Sequence, residues 1–258
     1  MRESPFILPS GRGIRILLFG DEGSGKTDLA AGVTRMTNRY LYIDNEGSTT
    51  AYPMHHYSES EPYGLVMLSP KESGRVRSIL ERELGNVAVG KAQWDAIVLD
   101  GLTEHQVVRS QGIATQRHKD DPKEDPSVLS MRGWGLLLDD LLRTAQLMVE
   151  LSNHGTAVIL TAAAETEGGE IRPLCQGAFG KLVGRYFDLS VYVKGEPDSG
   201  GKPVHMYHLL KSGLFKGKNR WEDVWLKTPK KYPPKLVNAK LELLLHLVQE
   251  AAKEKAVE

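Results

Sequence analysis

Cysteine is all but missing: Cys175 is the only one in 258 residues. A single thiol excludes a disulfide framework within the chain and suits a reducing compartment. Nothing near it in sequence offers a base, so a structural role is expected rather than a nucleophilic one. Long hydrophobic runs are also missing. No stretch approaches the roughly 18 apolar residues of a membrane-spanning helix, and the first residues carry no signal-peptide pattern. A soluble, cytoplasmic protein is the expectation. Excess charge of either sign is absent too, with 33 Lys and Arg against 33 Asp and Glu. The remaining composition is ordinary for a globular chain and leaves room for one large α/β domain.

What is present is sharply local. Gly20-Asp21-Glu22-Gly23-Ser24-Gly25-Lys26-Thr27 follows the apolar run Ile14–Phe19 and precedes a helical stretch, Thr27 to Met36. This is a phosphate-binding loop pattern in the strand–loop–helix context that it requires. Its glycines let backbone N–H groups converge on phosphate oxygens, Lys26 supplies a charge to the β- and γ-phosphates, and Thr27 supplies a hydroxyl to Mg²⁺. The helix N-terminus adds its own positive end. The pattern predicts binding of a nucleoside triphosphate.

Strand candidates at 14–19, 40–43, 96–99 and 157–161 alternate with helices, of which 134–152 is the clearest. Alternation predicts a mostly parallel sheet with helices on both faces. After Pro173 the pattern changes to a hairpin (188–194 with 205–211) and, past Pro233-Pro234, a C-terminal amphipathic helix from about Val237 to Lys253. Its leucines are expected to cover the core. This divides the chain into an arm at 1–13, a core at 14–232 and a C-terminal helix at 233–258.

Trp94-Asp95-Ala96-Ile97-Val98-Leu99-Asp100 is an apolar strand ending in a carboxylate, a Walker B pattern that makes Asp100 the expected second metal-site residue. Hydrolysis further needs a group to orient and deprotonate water. Many AAA-type ATPases place a Glu directly after this Asp, but here that position is Gly101, which points away from AAA-type machines. The other candidate is Glu46, in Tyr42-Ile43-Asp44-Asn45-Glu46 at the end of the second strand.

In these stretches the chain resembles the RecA-like recombinase superfamily, in which a strand after the phosphate-loop helix ends in Asp-x-Glu. From Ile14 to about Arg220 it looks most like small bacteriophage RecA-core nucleotide-binding proteins associated with single-strand annealing and recombination. Asp100-Gly101-Leu102-Thr103, Ile159-Leu160-Thr161-Ala162 and Lys216-Gly217-Lys218-Asn219-Arg220 carry the likeness further. The resemblance implies a RecA-like ATPase core using ATP and Mg²⁺, with Glu46 as general base and Thr161 as a polar sensor near the γ-phosphate. It further implies a homo-oligomer, ring or filament, with ATP between subunits, in which Lys216, Lys218 and Arg220 are candidates to reach a neighbour's phosphate. DNA, single-stranded by preference, is the implied partner, in a bacterial host cytoplasm if the chain is phage-encoded.

Two segments fall where DNA-binding loops of that superfamily lie: Arg109 to Arg132, read as a long charged loop, and Ala164 to Arg172, read as a short glycine-containing one. From Lys202 to Lys235 nine basic residues face only Glu222 and Asp223, a bias suited to a polyanion. A small-molecule P-loop kinase and a nucleotide-binding assembly protein with little turnover stay open beside the DNA-dependent ATPase.

Overall fold

The computed structural model describes residues 4–57, 63–68, 72, 74–91, 94–175, 177–211, 214–215 and 217–257. At its centre are strands that are apolar on both sides, and burial on both sides is what they find. In β1 (Arg15–Gly20), Ile16 and Leu18 face one hydrophobic core while Leu17 and Phe19 face a second on the opposite side of the sheet. Strands buried this way belong in parallel sheets flanked by helices. β2 (Tyr40–Asp44), β3 (Gly64–Met67), β4 (Ala96–Asp100), β5 (Ala157–Glu167) and β7 (Leu189–Pro197) run parallel to β1. Two further strands, β8 (Pro203–His208) and β10 (Lys235–Val237), continue one edge antiparallel. The main order is β10-β8-β7-β1-β5-β4-β2-β3, with β6 (Glu170–Pro173) paired to β5 and β9 (Lys218–Asn219) to β7. The expected α/β architecture, hairpin and C-terminal helix are all there.

β5 separates the phosphate-loop strand from the strand that ends in Asp100. The C-terminal ends of β1, β5, β4 and β2 therefore sit side by side, and a parallel sheet offers its ligands a crevice along that edge.

Helices α1 (Lys26–Ala31) and α2 (Val33–Met36) are one predicted helix interrupted at Gly32, where Leu241 packs against the backbone. On the second face lie α3 (Arg75–Ala88), α4 (Leu102–Asp120) and α5 (Met131–Asn153). Ser130 caps α5 by accepting from Gly133 N, and Gly155, at φ +86°, follows its end. Leu137, Leu141, Met148 and Leu151 form its buried stripe, while Trp134 is 38% exposed. Short α6 (Gly177–Leu182) and α7 (Glu222–Lys227) precede α8 (Leu241–Val257), whose Leu241, Leu244, Leu245 and Val248 enter the first core. Residues Phe6 and Leu8 join the same core, and Gln249 Nε2 on α8 donates to Ser4 O and Ile7 O. The N-terminal segment thus docks on its own chain.

Two segments read as loops are ordered elements. The stretch Arg109–Arg132 is helical as far as Asp120, and two of its basic residues are engaged: Arg109 with Asp140 and Arg117 with Glu124. Ala164–Arg172 forms the β5–β6 hairpin, turned by Gly168 and Gly169 at φ +60° and +80°, with Arg172 paired to Glu165 and Glu167. Cys175 is buried, and desolvation pushes its thiol up to about 12, which leaves it unreactive at neutral pH.

Candidate active site

The phosphate loop leaves β1 at Gly20 and enters α1 at Lys26. Gly25, the residue before the helix, has φ +95°, a left-handed conformation that favours glycine. Lys26 is nearly buried, and its Nζ donates to the loop carbonyls of Gly20 (2.9 Å) and Asp21 (2.8 Å). Burial lowers its pKa from the usual lysine value, against the raising influence of Glu46, Asp100 and Glu104. A lysine held on backbone carbonyls inside a phosphate loop is placed to receive phosphate oxygens.

Asp100 ends β4 almost wholly buried. Its Oδ1 accepts from Thr161 Oγ1 (2.5 Å) and Thr27 Oγ1 (3.4 Å), and its Oδ2 from Tyr42 OH (2.8 Å) and Ser48 Oγ (3.2 Å). Burial raises its pKa, and the hydrogen bonds from Thr161, Tyr42 and Thr27 oppose that rise. Thr27 and Ser48, 3.5 Å apart through their hydroxyls, complete a small group of hard oxygen donors around this carboxylate. Such donors suit Mg²⁺, which takes one or two protein oxygens and fills its octahedron with water and phosphate. Among the described residues there is no cluster of three or more His, Cys, Asp or Glu that forms a complete metal cage, and Mg²⁺ held on substrate phosphates needs none. The residues present fit the ion.

Asp44 and Glu46, two residues apart, have different tasks. Asp44 is fully buried and spent on structure: Oδ1 accepts from Glu46 N (2.9 Å) and Gly47 N (2.8 Å), Oδ2 from Thr49 N (3.0 Å) and Thr49 Oγ1 (2.5 Å). These bonds wrap the chain into the 3₁₀ turn Ser48–Ala51 and swing Glu46 back toward β4. There the side chain lies over Gly101: a Cβ at Gly101 would come within 2.6 Å of Glu46 Cγ. Gly101, at φ +93°, is therefore the position that makes room for Glu46. A glutamate at 101 and the one at 46 would compete for the same space, and this chain uses the latter.

Glu46 lies beside Glu104, in the first turn of α4. Although Glu46 is exposed as a residue, its carboxyl is desolvated there. That desolvation, followed by the influence of Glu104 and the charge of Asp100, raises its pKa to about 8, against the lowering effect of Lys26. A carboxyl poised near neutral pH is the property wanted of a general base. Both glutamates line a cleft of about 650 Å³ together with Lys26, Glu22, Asn45 and Ala163, within the size range of ligand sites.

The structure thus brings together Gly20 to Thr27, Glu46, Asp100 and Thr161. Thr161 also accepts from Gly101 N (2.9 Å), so its hydroxyl ties β5 to the end of β4 and holds the Asp100 carboxylate in place. The basic candidates lie elsewhere. Lys218 Nζ donates to Gly184 O and Arg185 O. Arg220 Nε pairs at 2.8 Å with Asp188, which also binds Arg12 and Arg15. Burial raises the Asp188 pKa, and hydrogen bonds and charges from Arg12 and Arg15 reverse the shift to hold it below the usual range. Asp188 N bonds Arg15 O at the start of β1, about 17 Å along the strand from its own phosphate loop at ~3.3 Å per residue. Lys216 lies outside the described residues. Tyr42, Ser48 and Glu104 escaped the sequence reading; Glu104 lies in the first turn of the helix after Asp100, and that position is the signal the sequence offers.

A phosphate loop, a buried metal-site aspartate and a poised glutamate on the C-terminal edge of a parallel sheet define a P-loop nucleotide-binding domain. Residues 12–221 match the model of the family described as AAA domain, and the chain belongs to this family. Membership implies nucleotide binding and ATPase activity with Mg²⁺. Gly101 pointed away from AAA-type machines, yet the family accommodates it, and Glu46 occupies the space a side chain at 101 would need. No curated protein matches the chain. No helix among the described residues is long and apolar enough to cross a membrane.

Proposed function

We propose that the chain is a Mg²⁺-dependent, RecA-like ATPase that acts on DNA, preferably single-stranded, as a homo-oligomer in phage-type recombination, annealing or replication. The observation that carries the hydrolytic part is Glu46, held over Gly101 and beside Lys26 by the Asp44 turn. The loop backbone and Lys26 bind the phosphates, with Nζ exchanging the Gly20 and Asp21 carbonyls for phosphate oxygens. Mg²⁺, when bound, supplies neutralisation of phosphate charge; Thr27 and Asp100 are the residues to hold it, with Ser48 beside them. Glu46 orients water and takes its proton, with Glu104 beside it in the cleft.

For DNA, support comes from the basic bias of 202–235, in which Lys202, Lys211, Lys227, Lys230 and Lys235 lie at the surface. Lys218 and Arg220 serve the fold in cis, so a role for either at a neighbour's phosphate requires exchange of those partners on assembly.

Phosphate release from Mg·ATP, measured with and without single-stranded DNA at fixed salt, tests the proposal. We expect turnover without DNA and a several-fold rise with it. Unchanged turnover would remove the DNA role, phosphate transfer to a nucleoside acceptor would make the protein a kinase, and tight binding without turnover would make it a nucleotide-dependent assembly factor.

A further inference from the structure

The end of the sheet away from the phosphate loop gathers more positive charge than it neutralises. Asp188, fully buried just ahead of β7, is approached by three guanidinium groups. Arg12 donates to its two oxygens at 2.7 and 2.9 Å, Arg15 donates through Nη2 and its backbone N (both 3.1 Å), and Arg220 Nε stands 2.8 Å from Oδ1. Lys218, two residues before Arg220, adds a fourth cation, whose Nζ donates to the neutral carbonyls of Gly184 (3.3 Å) and Arg185 (3.1 Å). One carboxylate thus faces four cations. Lys255 reaches in from α8 to donate to Arg220 O (3.0 Å), but Asp223 balances it at 2.9 Å. Arg185 itself is exposed, and among the described residues it has no ion-pair partner.

These cations disfavour one another. Burial lowers the pKa of Lys218, and the charge of Arg220 lowers it further. Burial likewise lowers that of Arg220, and Arg12 and Arg15 add to the fall against the raising charge of Asp188. A cluster in this state gains from an added anion, and the arginine fork matches the paired oxygens of a phosphate. Arg220 is 43% exposed, so such an anion can reach it.

The place of the cluster separates it from the ATP cleft. Arg15 opens β1 and Gly20 closes it, about 17 Å further along at the rise of an extended strand. A phosphate drawn to Arg220 is therefore not one held by the loop. Nor do the cations stop at one point: α7 begins two residues after Arg220 and leads to Lys227 and Lys230, both exposed. A run of cations is what a nucleic-acid backbone tracks. We propose that single-stranded DNA passes along this end of the sheet, opposite the ATP cleft, with a backbone phosphate held by Arg185 and Arg220 and with Lys218 and Arg15 behind them. The inference rests on the DNA reading given above and narrows the basic stretch 202–235 to its members at this end.

Fluorescence anisotropy of a labelled oligothymidylate, titrated at several salt concentrations, tests it. Each phosphate contact on a single strand contributes about 0.7 to the slope of log K against log salt. Arg185→Ala should lower the slope by that amount and weaken binding several-fold at low salt, and Arg185→Glu should weaken it further. Arg220→Ala should act in the same way, with Asp188 still held by Arg12 and Arg15, which its unfolding midpoint checks. Lys202→Ala removes a charge from the β7–β8 turn, beyond Val193, which pairs with Gly20 at the ATP-cleft end; it should leave the slope alone. Wild-type slopes in Arg185→Ala and Arg220→Ala, or an equal loss in Lys202→Ala, would overturn the inference and leave the DNA reading standing. Loss of DNA-free ATP turnover in Arg185→Ala would also overturn it, by assigning the cluster to a nucleotide phosphate. A wild-type protein that does not bind the oligonucleotide would remove the DNA reading and the inference together.

Discussion

Replacing Glu46 by Gln should lower the turnover of Mg·ATP by roughly 10²–10⁴-fold, the range contributed by a positioned general base, while nucleotide binding survives. Gln keeps the length and hydrogen-bonding reach of the side chain, so the Asp44 turn, whose bonds come from the backbone of Glu46 and Gly47, stays intact. What disappears is the ability to take a proton. Binding should survive because the loop, Lys26, Thr27 and Asp100 are untouched, and removing one carboxylate from the cleft lowers its repulsion toward phosphate. Phosphate release and calorimetry on the same preparation check both halves. Wild-type turnover in this variant would remove Glu46 from the chemistry.

The second large effect concerns a residue with no side chain. Gly101→Ala should cut turnover by about 10²-fold, the scale of a catalytic group displaced by about 1 Å. The new Cβ would lie 2.6 Å from Glu46 Cγ, 3.2 Å from its Oε1 and 3.3 Å from Asn45 Cβ, so Glu46 must move. A left-handed backbone also costs an L-residue roughly 1–2 kcal/mol, and the unfolding midpoint should fall by a few degrees, at about 2–4 °C per kcal/mol for a domain near this size. Nucleotide affinity should change little. A folded Gly101→Ala protein with wild-type turnover would show that Glu46 does not act from its place over Gly101.

How much of this was legible beforehand depended on how local each feature is. The phosphate loop, Asp100 and Glu46 each announce themselves within a few residues, because the backbone conformation they need is written in adjacent glycines and apolar runs. The strands could be read because burial on both faces makes them continuously apolar. Tyr42 and Ser48 could not, since their role is to meet Asp100 more than fifty residues further along. α4 passed for a loop because its inward face is largely polar, carrying Thr103, His105 and Gln106 beside Leu102 and Ala114. Arg220 was assigned to a neighbour's phosphate because its partner, Asp188, lies 32 residues earlier in the chain and only the pairing of β9 with β7 brings the two together.

The pH dependence of kcat/KM reports the ionisation of the free enzyme's essential base, and so bears directly on Glu46 as the group that activates water. With Mg·ATP as substrate, wild-type kcat/KM should rise with pH along a limb centred near 8, because the base works ionised and its neighbours hold its pKa at about 8. In Glu104→Gln the same limb should move to lower pH, since the charge of Glu104 is one of the influences that raise Glu46. A profile flat across this range, or a limb that stays put in Glu104→Gln, would contradict the assignment of Glu46 as the base.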